Sequence, residues 1–276
     1  MRQNSCTVDF EASNSWVILS PIEQSIKHKI EAIGTPLKDW DINIYRGILT
    51  GYNDAFIIST EKRNEILANC QTEDERLRTA ELIRPILRGR DIKKYGYDWA
   101  GLWLINSHNG IKEKNIPRVD INEYPAVKQH LDKHWDKLEK RADKGDTPYN
   151  LRNCAYMDDF NKPKLVYPET TQGAFFAYDE KEIYIDKTCF MVTGKDEKTL
   201  VYLQKTLSSR LFEFAYKNIF SSIELGQNGF QYNKHALIKL PVSEEIIELP
   251  DNEEEINNII YQIYNMCTEE INLIKS

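Results

Sequence analysis

The sequence lacks the features that mark secreted, membrane-embedded and disulfide-stabilised proteins. Its 276 residues include only five cysteines, which are scattered and form no Cys-x-x-Cys pair. An odd number of separated cysteines is typical of reduced thiols and argues against a disulfide framework or a zinc site. No apolar run approaches the length of a membrane span, and the N-terminal residues do not resemble a secretory signal. The sequence therefore predicts a cytoplasmic protein.

Signatures of an autonomous active site are also missing. The chain has no Gly-x-Gly-x-x-Gly, no Walker-type phosphate loop, no His-Glu-x-x-His and no Gly-x-Ser-x-Gly. His130 and His134 have the spacing of a helical metal pair, but no third ligand lies nearby in sequence, so a metal site is disfavoured. We therefore expect no metal and no cofactor in this chain, and a stand-alone nuclease or hydrolase lacks a credible catalytic set.

Acidic charge is concentrated in one segment. The net charge is −7, yet residues 243–276 carry nine acidic residues against one lysine. The first 242 residues therefore carry a net charge of +1 and can present local basic patches. Strands and helices mix without a regular βαβ rhythm. This mixture predicts an α+β fold, with a mixed β-sheet or a partly open barrel and packed helices.

Several elements can be placed from their end signals and periodicity. Ser20 to Glu23 has the form of a capping box, so a helix should begin at Pro21 and stop at Gly34. Alternation over residues 174–193 predicts a hairpin followed by one more strand. Apolar spacing predicts a helix over residues 196–216. An edge-like strand is expected over residues 236–242, and Asp251 with Glu254 forms an N-terminal box that predicts a final helix from residue 251 onward.

A predicted helix over residues 124–144 separates its side chains by chemistry. At about 100° per residue, one face is apolar, a second is acidic and a third is basic. The basic stripe consists of His130, Lys133, Lys137, Lys140, Arg141 and Lys144. Such a stripe could lie along a phosphate backbone. A solvated face whose lysines pair with neighbouring aspartates explains the pattern equally well.

Two further segments place polar side chains at breaks in regular structure. The first is the turn at Gly51, Tyr52 and Asn53, which could present backbone and short side chains to a ligand, although a simple turn between strands is favoured when it is taken alone. The second surrounds Pro85 and Gly89 and holds Arg88, Arg90, Lys93 and Lys94. These cations could clamp phosphates or read guanine, unless Asp91 neutralises one of them.

A third polar segment is the loop over residues 226–234. Its candidate contacts are Gln227, Asn228, Gln231, Tyr232 and Asn233. Asparagine and glutamine can pair bidentately with adenine, and a tyrosine can stack on a base or bond to a phosphate. A polar hairpin turn is the simpler explanation and is slightly favoured without other support.

Six blocks in a fixed order resemble one known family. They lie within residues 46–242 and read GILTGYNDAFII, LIRPILRGRDIKKY, YPAVKQHLDKHWDKLEKRADKGDTPYNLRNCAY, KPKLVYPET, LVYLQKTLSSRLFEFAYK and GFQYNKHALIKLPV. This order is similar to the TaqI-like C-terminal specificity domain. That domain is the target recognition domain that follows the catalytic domain in adenine-N6 DNA methyltransferases, especially the type IIG restriction–modification enzymes of phage defence.

The resemblance implies two partners, double-stranded DNA and a methyltransferase domain in the same or a partner chain. It places the turn at Gly51 on the DNA-facing side and makes residues 88–91 a second family signature. The family's catalytic domain carries an Asn-Pro-Pro-Tyr-type motif and a glycine-rich cofactor loop, and neither occurs in this sequence. S-adenosylmethionine would therefore belong to the parent enzyme, with magnesium needed only where an endonuclease domain is present.

The resemblance also divides the chain into three parts. Residues 1–45 would connect to an absent catalytic domain, residues 46–242 would form the target recognition domain, and residues 243–276 would form an acidic C-terminal helix. We expect a domain that recognises a DNA sequence and positions an adenine for a separate catalytic domain, and that is not an enzyme alone. The alternative is a protein-interaction module that docks a partner through the acidic helix.

Overall fold

A computed structural model of the protein describes residues 19–221, 224–225 and 229–276. The helices are α1 (Pro21–Ile33), α2 (Asn53–Phe56), α3 (Thr60–Ala68), α4 (Glu73–Leu82), α5 (Pro125–Asp132), α6 (Trp135–Leu138), α7 (Glu197–Leu207), α8 (Arg210–Ala215), α9 (Lys234–Leu237), α10 (Glu253–Ile263) and α11 (Thr268–Lys275). The strands are β1 (Thr35–Pro36), β2 (Ile42–Arg46), β3 (Ile57–Ser59), β4 (Ile83–Leu87), β5 (Ile92–Lys93), β6 (Gly96–Tyr97), β7 (Leu102–Ile105), β8 (Lys164–Pro168), β9 (Thr170–Thr171), β10 (Ala177–Asp179), β11 (Tyr184–Ile185), β12 (Cys189–Gly194), β13 (Glu224–Leu225), β14 (Gly229–Gln231) and β15 (Pro241–Val242).

A four-stranded antiparallel sheet, in the order β10-β8-β12-β2, separates two hydrophobic cores. Successive side chains of a strand point to opposite faces of its sheet. Phe190 and Val192 of β12 accordingly enter the first core, whereas Cys189 and Met191 enter the second. We call these core A and core B. Core A is covered by α1, α7, α8, α10 and α11, so the segments before residue 45 and after residue 243 share one core.

Core B is closed by a second sheet, in the order β11-β4-β7-β3. In this sheet β11 runs parallel to β4, while the other pairings are antiparallel. Ile66 of α3 and Val127 and Leu131 of α5 fill the space on its flank. The α+β class with a mixed sheet is therefore confirmed, and the sheets of the described residues are open rather than closed into a barrel.

The sequence predicts where a helix begins better than it predicts which strands pair. The capping box is confirmed, because Ser20 Oγ accepts from the Glu23 amide and Glu23 accepts from the Ser20 amide at 2.7 Å. The hairpin predicted over residues 174–193 is wrong, since β10 pairs with β8 whereas β11 pairs with β4. Alternation shows which side chains are buried, but it does not name the neighbouring strand.

Three predicted elements are interrupted. The helix over residues 196–216 breaks where Ser209 caps the start of α8. The strand over residues 236–242 is replaced by α9, and only Pro241–Val242 remains extended. The final helix begins after Asn252 and divides into α10 and α11, because the chain turns at Asn265, which has a φ of 52°.

The helix predicted over residues 124–144 is also wrong in its length. It ends at Asp132, resumes only for Trp135–Leu138 and gives way to irregular backbone. A regular helix would hold Arg141 on the solvated stripe, whereas the folded chain buries this side chain against main-chain carbonyls. The basic stripe is therefore not continuous. Its lysines are displayed from two short helices and a loop.

Candidate nucleic-acid interface

Two polar segments that are distant in sequence meet at one depression of the surface. Gly51 and Tyr52 of the first segment and Asp136, Lys137 and Lys140 of the second line it. Both lysines are exposed, and within the described residues neither side chain has a hydrogen-bond or ion-pair partner. We call this depression the basic shelf. Its ammonium groups are free to meet an anion.

Arg141 is buried under the shelf. The prediction that it contacts a phosphate is wrong. Its side chain is only 7% exposed. The guanidinium donates to the main-chain carbonyls of Thr50, Asp143, Pro148 and Asn150. Burial lowers the pKa of Arg141 to about 10, which still leaves it charged at neutral pH. Its terminal nitrogens are occupied by the protein, so it ties the turn to the following loop.

Gly51 is required by its backbone conformation. Its φ is +71°, and an added Cβ would lie 2.7 Å from the Asp143 carbonyl oxygen. We expect Gly51→Ala to lower the free energy of unfolding by roughly 1–3 kcal/mol. Gly96 is the matched control, because a Cβ there meets no atom within 4 Å and its φ is not positive. Urea denaturation of both variants tests this, and equal losses would contradict it.

A cleft of about 400 Å³ adjoins the shelf through the backbone. Its floor is formed by residues 47–49, which lead directly into Gly51. One wall is formed by residues 151–157, and Arg46 and Lys187 lie across from it. No carboxylate lines the cleft among the described residues, whereas three cations do. The cleft therefore presents hydrogen-bond donors to whatever enters it.

Contacts behind the cleft fix the positions of its walls. Arg46 donates through Nε to the Lys187 carbonyl at 2.9 Å and pairs with Glu169 at 2.6 Å. The ring of Tyr156 stacks on Tyr45 with 4.3 Å between centroids, and its hydroxyl donates to the Arg46 carbonyl. Burial raises the pKa of Tyr156 to about 12, so the hydroxyl keeps its proton at neutral pH.

Burial affects the protonation of Cys154, which lines the cleft, and of His130, which does not. Burial raises the pKa of the Cys154 thiol to about 11, so this thiol is protonated near neutrality and is a weak nucleophile. His130 is buried with its Nε2 3.0 Å from the Ala55 carbonyl, and burial lowers its pKa. Within the described part of the chain, no three histidine, cysteine or acidic side chains come close enough to hold a metal ion.

The basic cluster around Gly89 is partly neutralised. Arg88 pairs with the buried Asp91 at 3.4 Å, which is the neutralisation that the sequence left open. Lys94 pairs with Glu253 of α10 at 2.7 Å, and Lys93 donates to the carbonyl of residue 90. These three side chains therefore have protein partners, and Lys94 faces the acidic C-terminal segment.

Arg90 differs from its neighbours. It is exposed, and its guanidinium has no partner among the described residues. The adjacent Gly89 amide donates to the Thr188 hydroxyl at 2.9 Å, and Thr188 follows Lys187 of the cleft. The residue before Arg90 therefore contacts the residue after Lys187, and Arg90 itself is not among the residues that line the cleft.

The third polar segment contains one prediction that is wrong. Tyr232 is only 1% exposed and packs on Tyr216 and Phe176, so it cannot stack on a base. The amide oxygen of Asn233 caps α9 by accepting from the Ala236 amide at 2.8 Å, while its amide nitrogen keeps its donors, so its prediction as a base contact stays a prediction. Two further candidates, Gln227 and Asn228, lie outside the described residues.

Gln231 connects this segment to the cleft. It is half-buried and lies opposite Thr170 in the pairing of β14 with β9. The amide of the next residue donates to the Glu169 carbonyl at 2.8 Å, and the Glu169 carboxylate holds Arg46. Gln231 therefore lies near the cleft, and its prediction as a base contact stays a prediction.

The remaining candidates lie around the same surface. Lys133 is exposed at the end of α5, and Lys144 is exposed while donating to the Glu139 carbonyl at 2.6 Å. Asn53 is exposed with its amide oxygen accepting from Thr50 Oγ1. These side chains keep donors that could reach a ligand, in contrast to Arg141.

Three cations that line the cleft, Arg46, Arg152 and Lys187, were not predicted from the sequence. Arg152 lies within the third of the six family blocks, in NLRNC, and Arg46 directly precedes the glycine-containing turn. Both positions offered a signal, since each adjoins a segment that we had already singled out. Lys187 offered none, because only the folding of a distant strand brings its carbonyl to Arg46.

Comparisons with known proteins agree with this architecture. A sequence model of the family described as the TaqI-like C-terminal specificity domain matches residues 84–242. The type II methyltransferase M.PaeR7I of Pseudomonas aeruginosa is 22% identical over 273 residues, which cover 92% of this chain and 44% of that protein. The chain therefore spans less than half the length of this relative.

Two solved structures share the fold. The type IIG restriction endonuclease BpuSI matches with a TM-score of 0.53 and 14% identity, over 89% of this chain and 28% of that one. The type IIL restriction–modification enzyme MmeI, solved in complex with DNA, matches with a TM-score of 0.56 and 13% identity, over 88% of this chain and 36% of that one. The resemblance inferred from six sequence blocks is confirmed. Since the matched family segment makes up more than half of its residues, the chain belongs to the TaqI-like C-terminal specificity domain family.

Proposed function

We propose that the chain binds duplex DNA, recognises a short sequence and presents an adenine to a methyltransferase catalytic domain. The observation that carries this proposal is the convergence of cations from separate segments on one surface of an acidic protein. Clustered cations are the electrostatic footprint of nucleic-acid binding. Membership of a specificity-domain family supports the same conclusion.

The shelf and the cleft differ in chemistry, so they would have different roles in binding. The shelf offers Lys137 and Lys140, which are point charges suited to phosphates of any sequence. The cleft offers arginine and amide donors held by a rigid wall, which suit the edges of bases. The shelf would thus supply affinity and the cleft would supply sequence discrimination.

The acidic C-terminal segment is turned toward the protein. Its carboxylates pair with cations of the body, as in Glu253 with Lys94 and Glu254 with Arg210. The apolar faces of α10 and α11 are buried in core A. The alternative function, docking of a partner through the acidic helix, therefore has less support, because the apolar face that would dock is already covered.

The catalytic chemistry would lie in a second domain, in the same chain or a partner chain. That domain would bind S-adenosylmethionine and flip the target adenine out of the duplex. Magnesium would be needed if an endonuclease domain accompanies it. Among the helices of the described residues, none has the length and apolar character that crossing a bilayer requires. We propose a cytoplasmic restriction–modification system that acts against phage DNA.

Substitution of the two shelf lysines tests the duplex-binding surface. We expect the wild-type chain to bind unrelated duplexes at low salt. In Lys137→Ala/Lys140→Ala, the slope of log affinity against log salt should be shallower by roughly 1.8, because each lost phosphate contact contributes about 0.9. Fluorescence anisotropy with a labelled duplex at several salt concentrations measures the slope.

The matched control is Lys195→Ala/Lys198→Ala, since these lysines are also exposed and lie beside α7 on the core A side. The control should leave the slope unchanged. An equal change in both double variants would show that the shelf is not the phosphate-binding surface. Absence of duplex binding by the wild type at low salt would overturn the proposed function itself.

A further inference from the structure

One wall of the cleft carries an arginine whose position is unusually well fixed for an exposed side chain. The amide of Leu151 donates to the Ser107 carbonyl at 2.8 Å, and the Leu151 side chain is buried. On the other side, the amide oxygen of Asn153 accepts a hydrogen bond from Asn109. Arg152 therefore projects from a backbone segment that is anchored both before and after it.

The head group of Arg152 is only partly used by the protein. Its Nη1 lies 3.2 Å from Asp143 Oδ1, and its side chain is 53% exposed. Within the described residues, its Nε and Nη2 atoms have no hydrogen-bond partner. The Asp143 carbonyl is in turn held by the buried Arg141, so the single contact orients the guanidinium and leaves one donor edge open.

The other cations of the cleft cannot offer the same geometry. Arg46 already donates from Nε to the Lys187 carbonyl and from Nη2 to Glu169. Lys187 carries a point charge with no fixed pair of donors. Two parallel N–H donors in one plane match the O6 and N7 acceptors of guanine in the major groove. Arg152 is the cleft side chain with such a pair available.

We propose that Arg152, on the wall of the cleft, reads the major-groove edge of one guanine through its open Nε and Nη2 donors. This inference rests on the proposed binding of duplex DNA and assigns a specificity-determining side chain to it. The segment around Asn109 and Asn150 would act as a rigid support, because a preformed donor pair loses little freedom on binding. Arg152 would discriminate among sequences, whereas the shelf lysines would not.

Arg152→Lys separates reading of a base from simple attraction to phosphate. The substitution keeps the charge but removes the planar pair of donors. Arg118→Lys is the matched control, since Arg118 is 50% exposed, also pairs with an aspartate, at 3.5 Å, and does not line the cleft. Both variants keep an exposed cation, so both should fold like the wild type, which thermal unfolding verifies.

The experiment selects preferred duplexes from a pool with a randomised central segment, using the purified wild-type chain and each variant. We expect the wild type to enrich a motif containing a guanine that Arg152→Lys no longer requires. Direct titrations of that site and of its single-base-pair variants should show roughly 10- to 100-fold less discrimination at this one position. Arg118→Lys should retain the full motif, and binding of all three proteins to an unrelated duplex should have the same salt slope.

Each other outcome is decisive. If Arg152→Lys enriches the same motif as the wild type, Arg152 does not read a base. If the wild type binds duplexes without preferring any motif, base reading by the cleft is wrong while duplex binding stands. If Arg152→Lys weakens binding to every duplex equally, Arg152 is a phosphate contact. If the wild type binds no duplex at low salt, the proposed function fails together with this inference.

Discussion

Replacement of Asp179 by asparagine is expected to lower the free energy of unfolding by roughly 3–5 kcal/mol. Asp179 pairs with Lys164 at 2.8 Å, and both side chains are completely buried. The carboxylate also accepts from the Tyr97 hydroxyl and from the main-chain amides of residues 181 and 183. Loss of the negative charge leaves the Lys164 ammonium buried without a counter-ion. A buried charge without its partner is the main free-energy cost of breaking such a pair.

The surface pair of Asp251 with Lys205 is the matched control for this variant. It has the same residue types and the same 2.8 Å separation, but the Asp251 side chain is fully exposed. Asp251→Asn should therefore change the stability far less than Asp179→Asn, because solvent screens an exposed pair. Urea denaturation measures both variants. Comparable losses would show that burial does not determine the contribution of the Lys164–Asp179 pair.

The loss in Asp179→Asn should shrink as the pH rises. Burial lowers the pKa of Lys164 in the wild type, and Asp179 opposes this shift. Without Asp179, the folded-state pKa falls further below the unfolded value of about 10.4. The unfolded state then binds more protons than the folded state between the two pKa values, so the stability of the variant rises with pH in that interval. The difference from the wild type should be larger at pH 7 than at pH 9.5.

Replacement of Arg141 by methionine is expected to cost roughly 3–5 kcal/mol, because several buried carbonyls lose a charged donor at once. The carbonyls of Thr50 and Asn150 belong to different walls of the proposed interface. The substitution should therefore also loosen the turn at Gly51 against the loop that carries Arg152. Proteolysis by trypsin under native conditions should become faster within residues 137–152.

The adjacent Lys140→Met is the control with the opposite expected pattern. Lys140 is exposed on the shelf, so its loss should change the free energy of unfolding by less than about 0.5 kcal/mol. Lys140→Met should weaken duplex binding, whereas the main effect of Arg141→Met should be a lower free energy of unfolding. Our assignment of Arg141 would be wrong if Arg141→Met were as stable as Lys140→Met, measured by urea denaturation at neutral pH.

These two neighbours show what the sequence could predict and what it could not. Both are basic, both lie in one apparent stripe, and nothing in the local pattern separates them. The distinction arises because the helix stops before Arg141, and its side chain then finds carbonyls contributed by residues 50 and 150. Contacts across such distances depend on tertiary packing, which periodicity does not encode.

Local signals were more reliable. Ser20 and Glu23 predict the start of α1 because a capping box is satisfied by neighbouring atoms alone. The pairing of Arg88 with Asp91 is likewise a contact between residues three apart. The family resemblance identified which segments form the proposed interface, because it grouped the turn at Gly51 with the basic blocks. It did not distinguish Arg152 or Lys187 from other cations.

The shared strands of the central sheet couple the two halves of the molecule. Phe190 and Met191 are consecutive, yet they belong to core A and core B respectively. Neither core can lose its packing without exposing one face of β12, so unfolding should be cooperative across both cores rather than proceed by independent halves. Strand β2 pairs with β12 in a register that joins Ile42 to Gly194, which gives the fold a high contact order. Closure of that long loop would make folding slow, and the shelf and cleft would form only after both cores have assembled.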